Sequence, residues 1–355
     1  MLLEPFHQDT IQDIAFNQNG SRFAIASSDQ TLRILNKVDG KWEKSSEFKF
    51  SCSIAWKVKW ADPKFGQLIA ISSQSKGIQI WEEKKQYQEN LNGQKQITTQ
   101  WKLRSLTLEK SELIADIQFG SKSNGLLLVI AFVDGIVQVH RAYENNQFKL
   151  EGEEITIMPY GIRALSWNQA PSDKDMSIFA GNDEKSRYLK LKHDNYNLQR
   201  IKTLSIWVLS HETQKLTFTK FFEFDEEKTV YDAQWANQNG KTYHQIAFAT
   251  QEGAKIWQFR FIGESQVEKQ NLILINLDSS PNSLPYKVQL NSLANLLTVS
   301  YEHIVNDEQQ QTTTRDVKVF QLLNGNWIPK TITPEPNLIK DIQSLLSLPS
   351  VQLIQ

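Results

Sequence analysis

The 355-residue chain has one cysteine, Cys52, so it can form no intramolecular disulfide framework and no cysteine-based metal cluster. That scarcity fits a reducing compartment, the cytosol or nucleus. Glycine is also sparse, at 15 residues, and neither a Gly-x-Gly-x-x-Gly nor a Gly-x-x-x-x-Gly-Lys-Ser/Thr cradle for phosphate occurs. No charge of one sign dominates: 39 Lys and Arg face 40 Asp and Glu, so no global field attracts nucleic acid or an anionic membrane. The longest apolar run, Leu126 to Val133, is far shorter than the roughly 20 residues of a membrane helix and reads as a strand. The start, Met1-Leu2-Leu3-Glu4-Pro5, lacks the basic and apolar regions of a secretory signal.

What is present is core material and repetition. Hydrophobic residues make up 40% of the chain, with 10 Trp and 18 Phe, which excludes a disordered polymer. A five-residue pattern recurs six times, closing at Phe16, Trp60, Phe119, Trp167, Trp235 and Leu290. Five of the six closing residues are aromatic. The separations, 44, 59, 48, 68 and 55 residues, match a WD-type period of about 40–45 residues with loop insertions. A second column follows, closing at Leu35, Trp81, His140, Trp207, Trp257 and Phe320, usually about 21 residues after the first.

The fourth and sixth repeats are longer, and polar segments Asp183 to Lys202 and Asn306 to Thr314 account for the excess as expected surface loops. Apolar and polar residues largely alternate in Ile11 to Phe16 and in Gly77 to Trp81, as in half-buried strands. One four-stranded sheet per repeat cannot bury both its faces alone. Six sheets packed radially can, whereas a β-sandwich would need no recurring column. The expectation is an all-β, six-bladed WD-repeat β-propeller over residues 1–334. Its blades fall near 11–50, 53–109, 114–157, 161–224, 229–278 and 285–334, with a tail at 335–355. In that tail Leu338, Ile339, Ile342, Leu345 and Leu346 sit at helical spacing, suiting a short amphipathic helix that packs on the propeller or docks a partner.

Constellations with chemistry are few. His7, Ser27 and Asp29 are the residue types of a nucleophilic triad, but in WD repeats such positions form a structural hydrogen-bond network, and that is the expected role. The six histidines are scattered without the spacing of helical zinc ligands, leaving only a site assembled across blades as a metal possibility, and no metal or cofactor is expected. The clusters Glu151-Gly152-Glu153-Glu154 and Asp225-Glu226-Glu227 read as solvated loop faces. Trp101 with Lys102, Arg104 and Lys110 could stack on nucleic acid, but a propeller strand explains the mixture, and no direct nucleic-acid partner is expected. An enzyme would need convergent polar side chains at a central channel, and none stand in register, so the chain is expected not to be an enzyme.

Several stretches carry a family resemblance. Ile11 to Phe16 leading to Ser27-Ser28-Asp29-Gln30, and Trp56-Lys57-Val58-Lys59-Trp60-Ala61-Asp62-Pro63-Lys64-Phe65-Gly66-Gln67 leading to Trp81-Glu82-Glu83, resemble the first two blades of the coat propellers of the Sec-thirteen and Seh-one family. Arg104-Ser105-Leu106-Thr107-Leu108, Asp134-Gly135-Ile136-Val137-Gln138-Val139 and His244-Gln245-Ile246-Ala247-Phe248-Ala249-Thr250 resemble the Seh-one branch. The resemblance spans roughly residues 7 to 330. The chain departs from the repeat pattern in lacking Trp-Asp pairs at blade ends, where Leu35-Asn36, Trp81-Glu82 and Trp257-Gln258 stand instead, and in carrying Leu290 in repeat six.

The resemblance implies an open six-bladed propeller to which a helical scaffold nucleoporin donates a further blade in trans, at the nuclear envelope in the Y-shaped nuclear pore coat. It also implies a possible place in an amino-acid-signalling complex at the lysosomal or vacuolar periphery, or in the vesicle coat of the endoplasmic reticulum. Uncovered sheet edges are pairing templates, which a partner covers by β-augmentation. The expected seam comprises Ile11, Ile14 and Phe16 of the first repeat with Tyr286, Val288 and Leu290 of the sixth.

Overall fold

Strands alternate with turns through the described residues, as the columns require. The computed structural model describes residues 8–50, 54–73, 77–89, 95–106, 112–143, 147–158, 161–168, 176–181, 203–212, 215–224, 226, 228–237, 240–262, 266–275, 283–307 and 310–330. His7, Cys52, Lys110, the 183–202 insertion and the tail from residue 331 lie outside the described residues.

The first sheet is β1 (Ile11–Phe16), β2 (Arg22–Ser27), β3 (Thr31–Val38) and β4 (Lys41–Lys49); the second is β5 (Ala55–Trp60), β6 (Gln67–Ser73), β7 (Ile78–Glu89) and β8 (Lys95–Leu106). The third contains β9 (Ile114–Phe119), β10 (Leu127–Phe132), β11 (Ile136–Ala142), β12 (Phe148–Leu150) and β13 (Ile155–Thr156). Its outer strand is interrupted, because β12 and β13 both pair with β11 on either side of Gly152, whose φ is 85°. The fourth sheet is β14 (Ile162–Trp167), β15 (Met176–Gly181), β16 (Leu204–Glu212) and β17 (Lys215–Glu223). The fifth is β18 (Val230–Trp235), β19 (His244–Thr250), β20 (Gly253–Ile262) and β21 (Gln266–Ile275). The sixth is β22 (Ser283–Leu290), β23 (Leu296–Asp307), β24 (Gln310–Leu323) and β25 (Asn326–Lys330).

Every sheet is an antiparallel meander of strands consecutive in sequence, and among the described residues none borrows a strand from elsewhere in the chain. This is a six-bladed β-propeller, and among the described residues no strand latches one end to the other. The chain divides into two compact units. One is built on Phe6–Ile130 and Val139–Glu151, the other on Ala131–Gln138 and the chain from Gly152 onward. The first holds blades one and two, the second holds blades four to six, and the third sheet contributes to both.

Within each unit the inner strand of one blade lies against the first strands of the blade before it: β5 on β1 and β2, β18 on β14 and β15, β22 on β18 and β19. Period 2 sends alternate side chains to opposite faces. In the first unit Ala24, Ala26, Leu32, Ile34 and Phe48 therefore meet Ala55, Val58, Ile69 and Ile71 in one core cluster. In the second, Phe224, Trp235, Phe248 and Phe259 fill the layer between blades four and five. Val288, Leu290, Leu297, Val299 and Phe320 fill the next, against Ala247 and Ile256.

Inner strands are also clipped together through polar side chains of the first column. Asp13 Oδ2 accepts the Val58 N–H at 3.0 Å, and Asp232 Oδ2 accepts the Val288 N–H at 3.0 Å. Ser166 Oγ accepts the Trp235 N–H at 2.8 Å, and Gln234 Oε1 accepts that of Leu290 at 2.5 Å. These buried donors are thereby satisfied, which is what keeps a polar column in the interior.

The Trp60-Ala61-Asp62-Pro63-Lys64-Phe65-Gly66 motif is a single 3-10 turn. Asp62 caps it by accepting the Lys64 N–H at 2.9 Å, and Gly66 leaves it at φ 90°, a left-handed conformation that costs glycine nothing.

Two expectations need correction. Asn306 to Thr314 is not a loop across its length: β23 and β24 stay paired from His303↔Thr314 out to Asp307↔Gln310. Thr312 and Thr313 lie opposite Val305 and Ile304, so β-branched threonines extend a ladder that their polarity hid. Glu226 is not a solvated loop residue. It is 4% exposed, and its Oε2 lies 2.8 Å from Lys255 Nζ.

Candidate docking face of the first blade

The first blade spends one face on the second. There Ala15 packs against the shared core and accepts a hydrogen bond from Trp60 Nε1 at 2.9 Å. The next residue, Phe16, points the other way and is 48% exposed. On that opposite face its ring lies 5.3 Å from Phe23 and 6.1 Å from Trp42, and Phe23 and Trp42 meet edge-on at 4.6 Å between centroids. Lys37 Nζ sits 5.9 Å above Trp42. Phe23 pairs with Leu35 across β2 and β3, and Trp42 pairs with Lys37 across β3 and β4, so the cluster spans all four strands.

This arrangement suits recognition and not bond-making chemistry. Clustered aromatics present large rigid apolar area at low entropic cost, the usual anchors of an interface. Ile11 and Ile14 are half-buried on the same strand as Phe16. Phe23 and Trp42 were not legible as site residues, since Trp42 stands between Lys41 and Glu43 and only the strand register brings it beneath Phe16.

The other three expected seam residues lie in the second unit on β22. Val288 and Leu290 are 3% and 5% exposed and point into the core shared with the fifth blade, so their side chains are already used. Tyr286 is half-buried.

Ser27 and Asp29 do come together, as a turn clasp. Asp29 Oδ1 accepts from the Thr31 N–H at 3.0 Å and the Thr31 hydroxyl at 2.6 Å, while Oδ2 accepts from the Gln8 N–H at 3.0 Å. Ser27 Oγ, fully buried, accepts the Asp29 N–H at 3.2 Å and donates to the Asp9 carbonyl at 3.3 Å. A hydroxyl donating to a main-chain carbonyl is not poised as a nucleophile. Trp101 and Arg104 lie on β8. Trp101 packs toward the core between blades one and two, and Arg104 is ion-paired with Glu82, so both serve the blade.

A cleft of about 200 Å³ beside the turn after β1 is lined by Asn17, Gln18, Asn19, Trp60, Ala61, Pro63 and Gln67, none of them an acid or base in water. Among the described residues no three His, Cys, Asp or Glu side chains are grouped to hold a metal ion, and no helix is long and apolar enough to cross a membrane.

No family model matches the chain. Among curated proteins it is similar to Nucleoporin SEH1 of Bos taurus, 28% identical over 252 residues, which are 69% of this chain and 65% of that protein. It is likewise similar to Nucleoporin SEH1 of Homo sapiens, 27% identical over 252 residues with the same coverage, and to that of Danio rerio, 26% identical over 253 residues, 69% of this chain and 64% of the relative. The chain thus spans slightly less than two thirds of the length of these relatives. Residue columns and six consecutive antiparallel sheets, five of four strands and one of five, agree that the chain is a six-bladed WD-repeat β-propeller, and its similarity is to the Seh-one nucleoporins.

Proposed function

We propose that the chain is a non-catalytic scaffold subunit of the nuclear pore coat, held at the nuclear envelope by a helical scaffold nucleoporin that adds a blade against its first sheet. The observation that carries this reading is the aromatic face of Phe16, Phe23 and Trp42, on the side of the first blade turned away from the second. Ile25 and Leu35 on the same face are fully buried, whereas Phe16 is 48% exposed, so the open part of the face is its aromatic end. The relatives' name, nucleoporin, supplies the cellular setting. A partner strand would meet the sheet edge by main-chain hydrogen bonds, and Phe16 with Trp42 would fill the contact with apolar area.

Affinity capture of the tagged chain from its own cells, beside a Phe16→Asp/Trp42→Ala variant, tests the proposal. The wild type should retain a helical nucleoporin in stoichiometric amount and the variant should lose it, with fold stability changed by no more than about 1 kcal/mol. Undiminished capture by the variant would move the interface elsewhere. Stoichiometric recovery of a vesicle-coat protein or of an amino-acid-signalling complex in place of a nucleoporin would overturn the nuclear pore assignment while keeping the scaffold role.

A further inference from the structure

Five inner strands carry a β-bulge at the same place. The pairing registers skip one residue between Ile11 and Asp13, Ala55 and Lys57, Ile162 and Ala164, Val230 and Asp232, and Pro285 and Lys287. The residues so added are Gln12, Trp56, Arg163, Tyr231 and Tyr286. A bulge takes a residue out of the ladder and re-aims its side chain. In the first blade that side chain is occupied, since Gln12 Nε2 donates to Ser28 Oγ at 2.5 Å. In blades four to six the column reads Arg, Tyr, Tyr.

Arg163 is exposed, and its guanidinium carbon lies 4.6 Å from the centroid of the Tyr231 ring. Among the described residues, the carboxylates near the start of β18 are committed elsewhere. Lys255 Nζ lies 2.8 Å from Glu226 and 2.9 Å from Glu252, Lys228 Nζ lies 3.9 Å from Glu252, and Asp232 accepts the Val288 N–H. Among the described residues, no carboxylate is paired with Arg163. The contact holds the guanidinium over the ring while the residue stays exposed, and a guanidinium so placed can receive a carboxylate through two parallel N–H bonds.

We propose that Arg163 and Tyr231 form a docking point for an acidic peptide segment, separate from the aromatic face of the first blade and independent of the scaffold reading. One side-chain carboxylate accepts from the edge of Arg163, and the adjoining peptide lies along the ring of Tyr231 toward Tyr286. Nucleic acid fits less well, because tracking a phosphate backbone takes several cations, whereas one guanidinium suits one carboxylate and the chain's net charge of -1 supplies no long-range pull on a polyanion.

The probe is fluorescein-labelled hexaglutamate, with hexaglutamine and a thymidylate hexamer beside it, titrated with the full chain and followed by anisotropy at low salt. Hexaglutamate should bind more tightly than hexaglutamine. Arg163→Lys and Tyr231→Leu should each weaken it by about tenfold, the first because an ammonium cannot reproduce the bidentate fork. Lys149→Gln, removing another cation held above a tyrosine, Tyr143, should leave binding unchanged. Circular dichroism and melting temperature establish that each variant is folded. Equal affinity for the two peptides, or equal losses in the Lys149 variant, would overturn the site. Tighter binding of the thymidylate hexamer, lost with Arg163→Lys, would overturn the acidic-peptide assignment in favour of nucleic acid.

Discussion

Arg22 of the first blade and Glu83 of the second form a two-point ion pair, with Nη1 to Oε2 at 2.5 Å and Nη2 to Oε1 at 3.0 Å. Nε of the same guanidinium donates to Asn36 Oδ1 at 2.7 Å, and the group lies 5.9 and 5.7 Å from the Trp60 and Trp101 rings. The side chains are only 15% and 10% exposed, so solvent screens the pair weakly. Arg22→Lys loses the fork and the stacking and should cost about 2 kcal/mol in urea unfolding. Glu83→Gln should cost a similar amount, and the double variant less than the sum of the two, because each single change strands the other partner.

Lys255 should behave as a buried cation whose neutralisation comes from Glu226. Burial pulls its ammonium down in pKa, but hydrogen bonds and charge from Glu226 and Glu252 outweigh it and hold the value above the ordinary lysine range. The stability this contributes is complete below about pH 10.5 and is lost as pH rises through the folded-state value. Lys255→Met leaves Glu226 buried without its cation and should cost about 3 kcal/mol at neutral pH. The variant's melting temperature should also fall less steeply than wild type's above pH 10.5.

His140, 5% exposed on β11, carries an acid-side dependence. Burial pushes its imidazole down to about 4. The unfolded chain takes up a proton near pH 6.5 while the folded chain stays neutral, so stability is present above that value and lost as pH falls toward 4. Urea unfolding should show a loss of about 2 kcal/mol from pH 7.5 to 5 attributable to this group, absent in His140→Gln.

Gly135 closes the tight turn between β10 and β11 at φ 90°, where an added Cβ would stand 1.6 Å from the Met158 carbonyl oxygen. Gly20, at φ 68°, has nothing within 4 Å of the same position. Gly20→Ala should therefore cost only backbone strain, about 1 kcal/mol. Gly135→Ala should cost about 4 kcal/mol or more, and the difference in chemical denaturation isolates the clash.

The strands were legible because two columns of apolar and aromatic residues recur along the chain; the first closes a strand in every repeat, whereas the second, expected to close one, lies within strands that run on past it. The reason for the first column's aspartates was not legible. Asp13 meets the Val58 N–H 45 residues on and Asp232 meets Val288 56 residues on, separations at which sequence shows no pairing. Glu226 was misread for the same reason, since the acidic run around it looks solvated and its lysine is 29 residues away. Phe16 stood out through its column, but Trp42, set among charges, joins it only through the register of four strands. The Gln310 to Thr314 run misled in the opposite sense: composition suggested a loop where β23 and β24 remain paired.

Because the described strands of each sheet are adjacent in sequence, those of the first blade need not await the last residues made. Its four strands are complete by Lys49 and can pair while the remainder is still being synthesised, which favours rapid, stepwise assembly. Among the described residues no strand of one end pairs with the sheet at the other, which leaves the first blade open to stabilisation by whatever binds it. Under mass action, a protein that caps the first blade adds its binding free energy to the fold, and the melting temperature then rises with the concentration of that protein.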